Sequence, residues 1–90
     1  MYDVEYTDTF GGEANYCWVH RATIPSADTY DTFTEGNYAA QARKRQALIM
    51  RRAKAAVGIT GLRGRTVNRG DGYEFRPYGV CAVMFVTWAD

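Results

Sequence analysis

The sequence predicts an α+β fold: an antiparallel sheet of about four strands, in the chain order β-β-α-β-β, with one long helix packed on one face. Three observations predict it. Residues 37–57, NYAAQARKRQALIMRRAKAAV, are the one long stretch with sustained helical periodicity. Alternating segments precede and follow it. Residues 80–88, VCAVMFVTW, are apolar at nearly every position, as a strand covered on both faces reads. Ninety residues suit one domain, 1–90, with a core near the lower limit of what packs without disulfides or metals.

Along the chain, Tyr2, Val4 and Tyr6 alternate with Asp3 and Glu5, which describes a half-buried strand. Gly11-Gly12 marks a hairpin turn. In the second strand, 14–24, Tyr16, Trp18, His20 and Ala22 share one face, and Cys17, Val19, Arg21 and Thr23 the other. Alternation alone leaves open which face packs on the helix; the small Cys17 and Val19 suit a helix contact, which would leave Tyr16, Trp18 and His20 on the outer face. Pro25-Ser26 ends the strand, and Tyr30, Phe33 and Tyr38 punctuate a polar connection expected to pack on the body. Asn37 is the preferred helix N-cap over Thr34, because Gly36 intervenes. On the helix, Ala42, Gln46, Ile49, Met50, Ala53, Ala56 and Val57 gather into the stripe to be buried, and Gly58 is the expected C-terminal stop. Beyond it, Thr66-Val67 reads as a short strand, 68–72 as a turn, 73–76 as a strand, and 80–88 as the middle of the sheet. One helix cannot cover both sheet faces, so homodimerisation through an aromatic second face is an expectation.

The net charge of +1 conceals an asymmetry. Residues 1–36 hold seven acids against Arg21, a local −6, whereas 37–76 hold ten bases against Asp71 and Glu74, a local +8. Such bipolarity serves internal pairing, self-association or attraction of an acidic partner. The N-terminal MYDVEYTD has no basic segment leading into an apolar one, and the longest apolar run is far short of a bilayer span, so neither a signal peptide nor a membrane contact is expected. Cys17 and Cys81 lack zinc or disulfide spacing and read as reduced core residues.

Catalytic chemistry finds little material. His20 is the sole histidine and Ser26 the sole serine, sited at a proline turn, so a nucleophile triad is not expected. Cys17 and His20 point to opposite faces of a regular strand; Cys81 with His20 stays geometrically open. The pairs Asp3/Glu5 and Asp28/Asp31 read as solvated carboxylates. No metal site, cofactor or catalytic residue is expected. The stretch GITGLRG spaces its glycines at 58, 61 and 64, lacks a following Lys-Ser/Thr, and leaves a helix rather than entering one, so a tight turn explains it better than a phosphate cradle.

The segments YDVEYTDTFGGEANYCWVHR (2–21), RRAKAAVGITGLRGR (51–65) and YEFRPYGVCAVMFV (73–86) resemble a group of short proteins carried by bacteriophages and prophages. The resemblance implies a protein of the bacterial cytoplasm that inhibits or adapts a host machine, anti-CRISPR and other anti-defence proteins being examples. It transfers no functional residue. It also departs from DNA mimicry, which would be strongly acidic throughout. The expected function is therefore a non-enzymatic interaction protein acting on a host protein or ribonucleoprotein complex. Its expected contacts are Arg45, Leu48, Arg51 and Arg52 on the helix, with Arg63, Arg65 and Arg69 beyond it. The alternative is a small nucleic-acid binder using the same cations, with Tyr16 and Trp18 as stacking platforms.

Overall fold

The computed structural model describes residues 1–26 and 38–89. Gly11 and Gly12 both take positive φ (61° and 85°), the backbone a two-residue hairpin turn demands, and they join β1 (Tyr2–Phe10) to β2 (Glu13–Ile24). After α1 (Tyr38–Ala56) come β3 (Gly64–Asn68), β4 (Gly72–Pro77) and β5 (Ala82–Trp88). The five strands form one antiparallel sheet ordered β2-β1-β5-β4-β3, with the apolar β5 at its centre as expected. The sheet has five strands rather than about four. The extra strand is β3, whose short Thr66-Val67 core extends because Gly64 lies so close to β4 that a Cβ there would collide with the Arg76 carbonyl.

Strong helix formers fill α1, and its C-terminus closes as a Schellman motif. Gly58 takes φ 80°, its N–H donates to Ala55 O (3.3 Å), and the Ile59 N–H donates to Lys54 O (2.9 Å). The buried stripe is narrower than expected: Ile49, Met50 and Ala53 are sealed, Gln46 and Val57 are half-buried, and Ala42 and Ala56 are exposed. The cap alternatives at Thr34 and Asn37, the aromatics Tyr30 and Phe33, and the Asp28/Asp31 pair lie outside the described residues.

Ile49, Met50 and Ala53 pack against Val4, Tyr6, Ile24, Phe75, Ala82, Met84 and Val86. Register places Tyr2, Val4 and Tyr6 opposite Ile24, Ala22 and His20, so this face of β2 is the one that carries Trp18, His20, Ala22 and Ile24. The helix-facing side of β2, which the sequence leaves open, is therefore the Trp18 and His20 face, not the Cys17 and Val19 face that side-chain size suggests. β1 already supplies the bulky apolar row under the helix, and β2 continues that row.

The second face is mainly charged, with Phe85 set by register between Glu5 and Glu74 and the Tyr16 hydroxyl on Glu5. It carries Glu5, Arg21, Glu74 and Arg76, with Thr7 and Val83 buried among them. The hairpin tip curls over this face: Arg76 Nη1 donates to Gly12 O at 2.8 Å. The bend follows from a bulge in which Asp8 alone faces four residues, 15–18, between the Thr7↔Val19 and Thr9↔Ala14 pairs. Of the aromatics expected on this face, Trp18 lies on the helix side and Tyr16 stays, its hydroxyl bonded to Glu5.

Candidate functional site

On α1, the side away from the core carries Lys44, Leu48, Arg51 and Ala55, flanked by Arg45 and Arg52, as a 3.6-residue period requires. Arg45 and Arg51 are exposed. Leu48 is half-buried rather than fully exposed. Arg52 reaches Ser26 O at 3.4 Å. Lys54 leaves this surface: its ammonium donates to Leu62 O (3.1 Å) and sits 4.2 Å over the Phe75 ring, fastening the helix end to the sheet.

The arginine and glycine loop does not extend the helix surface into one basic face. Gly61 takes φ 91° and the Leu62 N–H donates to Ile59 O (3.1 Å), a tight turn that delivers the chain to β3. Arg63 is exposed beside that turn, and its carbonyl accepts from the Tyr78 N–H. Arg65 lies directly opposite Arg76, on the sheet face turned away from α1. Arg69 bonds Glu74 there (2.7 Å), and Arg76 takes the other carboxylate oxygen (2.9 Å). Burial pushes the Glu74 carboxyl up, but the hydrogen bonds and charges of the two arginines outweigh it and hold the group below the ordinary range. Thus Arg45, Leu48, Arg51 and Arg52 are brought together, whereas Arg65 and Arg69 belong to another surface.

Tyr16 and Trp18 are also separated. The bulge gives Tyr16 a φ of 56°, and its hydroxyl donates to Glu5 Oε1 (2.8 Å), beside the Arg21–Glu5 salt bridge (3.0 Å). The carboxylate partner raises the Tyr16 phenol above its ordinary value. Trp18 turns to the helix side and stacks with Tyr6 and His20, with centroids 5.2 and 5.5 Å away. The bulge is pinned by two side chains. Thr7 Oγ1 accepts from the Tyr16 N–H (3.1 Å) and donates to Trp18 O (2.9 Å). Asp8 Oδ1 accepts from the Cys17 N–H (2.8 Å), and Oδ2 accepts from Asn15 (3.0 Å). The Asn15 bond, helped by the backbone donors, draws the Asp8 carboxyl below its ordinary value despite some desolvation.

Both cysteines are exposed rather than buried, Cys17 within the bulge and Cys81 just before β5, because neither falls on a regular inward strand position. Among the described residues no group of three His, Cys, Asp or Glu side chains is placed to hold a metal, and no helix is long and apolar enough to cross a membrane. One feature escaped sequence reasoning: a cleft at the open end of the sheet walled by Tyr2, Tyr73 and Trp88, residues from three strands far apart in the chain. The cross-strand match of Tyr2 with Trp88 is its signal, and it becomes readable only once register is known. In comparisons with known proteins, no family model, no curated protein and no solved structure matches this chain.

Proposed function

We propose that the chain is a non-enzymatic interaction protein that docks the exposed face of α1 onto an acidic surface of a host nucleic-acid-handling or defence complex, in the manner of anti-CRISPR proteins, and so inhibits or modulates it. The observation that carries the reading is Leu48, half-buried and framed by Arg45, Arg51 and Arg52 on the helix face opposite the sealed core residues. An apolar centre with a cationic rim suits a protein surface of opposite charge: the leucine supplies desolvated contact and the arginines supply steering and bidentate bonds to carboxylates. The host context comes from the resemblance to phage and prophage proteins.

Support for a binding role rather than catalysis comes from how the reactive groups are used. His20 is stacked in the Trp18 cluster, Asp8 is engaged by the bulge, and Glu74 is held by two arginines. The test is recovery of bound partner from bacterial host lysate by the wild-type chain and by Arg51→Glu/Arg52→Glu. Recovery should fall at least tenfold in the charge reversal, with the circular dichroism spectrum unchanged. Equal recovery would remove the helix face from the function.

A further inference from the structure

At the end of the sheet where β1 starts and β5 finishes lies a half-open cleft of about 240 Å³. Its walls are aromatic. Tyr2 and Trp88 occupy directly opposed positions of β1 and β5 and meet edge to face, with centroids 5.1 Å apart and an interplanar angle of 77°. Tyr73 of β4 forms the third wall, paired across the strands with Asn68. Gly70 and Gly72, with Asn68 and Asp71, line the remainder. Gly72 lies so near β5 that a Cβ would collide with the Val86 carbonyl, and Gly70, at φ 92°, belongs to the β3–β4 turn.

The cleft is built before any ligand arrives. The Arg69 N–H donates to Gly72 O, the Gly70 N–H to Asn68 Oδ1, and the Trp88 N–H to Asp71 O, each at 2.8 Å. These bonds fix the turn and tie it to β5. Because Asn68 Oδ1 is committed to Gly70, its side-chain NH₂ is the group that can donate outward, while the exposed Asp71 carboxylate can accept. Burial raises the Tyr73 phenol above its ordinary value, so the hydroxyl stays protonated at neutral pH and the wall stays uncharged.

We propose that this cleft binds the base of a nucleotide, its flat ring against Tyr2, Tyr73 and Trp88 and its polar edge toward Asn68 and Asp71. The cleft is smaller than the pockets that enclose drug-sized ligands, so it accommodates one ring system and leaves the remainder of a ligand outside. Aromatic walls attract two kinds of guest, flat heteroaromatic rings and organic cations. Asn68 and Asp71 set an amide donor beside a carboxylate acceptor, a pair that matches the mixed donor and acceptor edge of a base; a quaternary cation has no use for the amide donor. The base can come from a free nucleotide or from a single-stranded nucleic acid; the recognition chemistry is shared. This inference goes beyond the helix-docking reading and does not rest on it, since none of Arg45, Leu48, Arg51 and Arg52 lines the cleft.

Trp18→Phe leaves Trp88 as the sole tryptophan and makes it the reporter. Its fluorescence is followed while adenosine monophosphate, adenosine, a ten-nucleotide single strand of deoxyadenylate, or tetramethylammonium is added. Saturable quenching by the monophosphate is expected, with affinity reduced at least about fivefold by Tyr2→Leu. Adenosine should bind within about threefold of the monophosphate, since the recognised group is the base. Binding of the single strand without the monophosphate supports the proposal and identifies the strand as the source. Should Tyr2→Leu unfold by circular dichroism, the exposed Asn68→Ala takes its place, with the same direction of effect. The proposal is overturned by absence of saturable quenching with every nucleotide, by a response to tetramethylammonium alone, or by a folded Tyr2→Leu that binds the monophosphate as tightly as its parent.

Discussion

The two faces of the sheet are held together by different physics. Under α1, Val4, Phe75, Met84 and Val86 are sealed with Ile49 and Ala53, and burial of apolar surface is the dominant contribution. On the other face, two carboxylates act as anchors: Glu5 takes Arg21 and Tyr16, and Glu74 takes Arg69 and Arg76. Arg76 also reaches Gly12, so a polar network closes the hairpin tip over a surface that one helix cannot reach. The difference teaches how a sheet with one helix avoids a bare second face. Charge pairs and a bent hairpin cover it where apolar side chains would need another layer.

The largest effect should come from breaking the helix-side face. Phe75 is 1% exposed and also receives Lys54 over its ring, so Phe75→Ala removes core packing and the attachment of the helix end together. A loss of about 3–5 kcal/mol is expected from urea unfolding. If the loss is under about 1 kcal/mol, α1 is not held to the sheet in this way.

Next is the polar face. Glu74→Ala should cost about 1–3 kcal/mol, below the value for a wholly buried pair, because the side chains of Arg69 and Arg76 are 59% and 42% exposed and regain water when released. A double-mutant cycle with Arg76→Ala should show coupling between the two. Additive effects would mean that the carboxylate and guanidinium contribute independently, and the contrast between the faces would weaken.

Much of the fold was legible in the sequence because its signals are local. The Gly11-Gly12 turn, the helix bounded near Asn37 and Gly58, and the central position of the 80–88 segment each depend on residues within a few positions of one another. The faces of β2 were not legible, and the reason is the bulge opposite Asp8. Three extra residues reverse the alternation between Ala14 and Val19, so counting by twos from Ala14 carries Tyr16 and Trp18 to one side when they lie on opposite sides. That Arg45, Leu48, Arg51 and Arg52 lie on the side of α1 away from the core was legible from a 3.6-residue period. Arg65 and Arg69 were not separable from them, because the sheet face they occupy is set by pairing with β4. The Tyr2, Tyr73 and Trp88 cleft depends on the register of three strands, which no local pattern carries.

The pH dependence separates the faces without altering a core residue. The folded-state carboxyl of Glu74 is held below the ordinary glutamate value near 4.5, so its contribution is present above that value and is lost as pH falls through the lower, folded value. Wild-type stability should therefore decline as the pH is lowered from about 5 to about 3, and Glu74→Ala should show a shallower decline. Phe75→Ala should keep the wild-type slope at reduced stability. Parallel profiles for wild type and Glu74→Ala would assign the acid sensitivity to other carboxylates.

The smallest global effect, and the most local one, is expected at Asp8. Its carboxylate lies at the surface and accepts from the Cys17 N–H and from Asn15, while the adjacent, fully buried Thr7 hydroxyl holds Tyr16 and Trp18 independently. Asp8→Asn keeps the shape but replaces one acceptor oxygen with a donor, which cannot serve both the Cys17 amide and the Asn15 NH₂. Amide hydrogen exchange at Cys17 should accelerate while exchange at Val83 in the central strand stays slow, because the opening is confined to the bulge. Thr7→Val should instead accelerate exchange at Tyr16, whose amide loses its acceptor. Faster exchange at Val83 in Asp8→Asn would show that the bulge and the covered polar face open together, making the hairpin tip part of the same cooperative unit as β5.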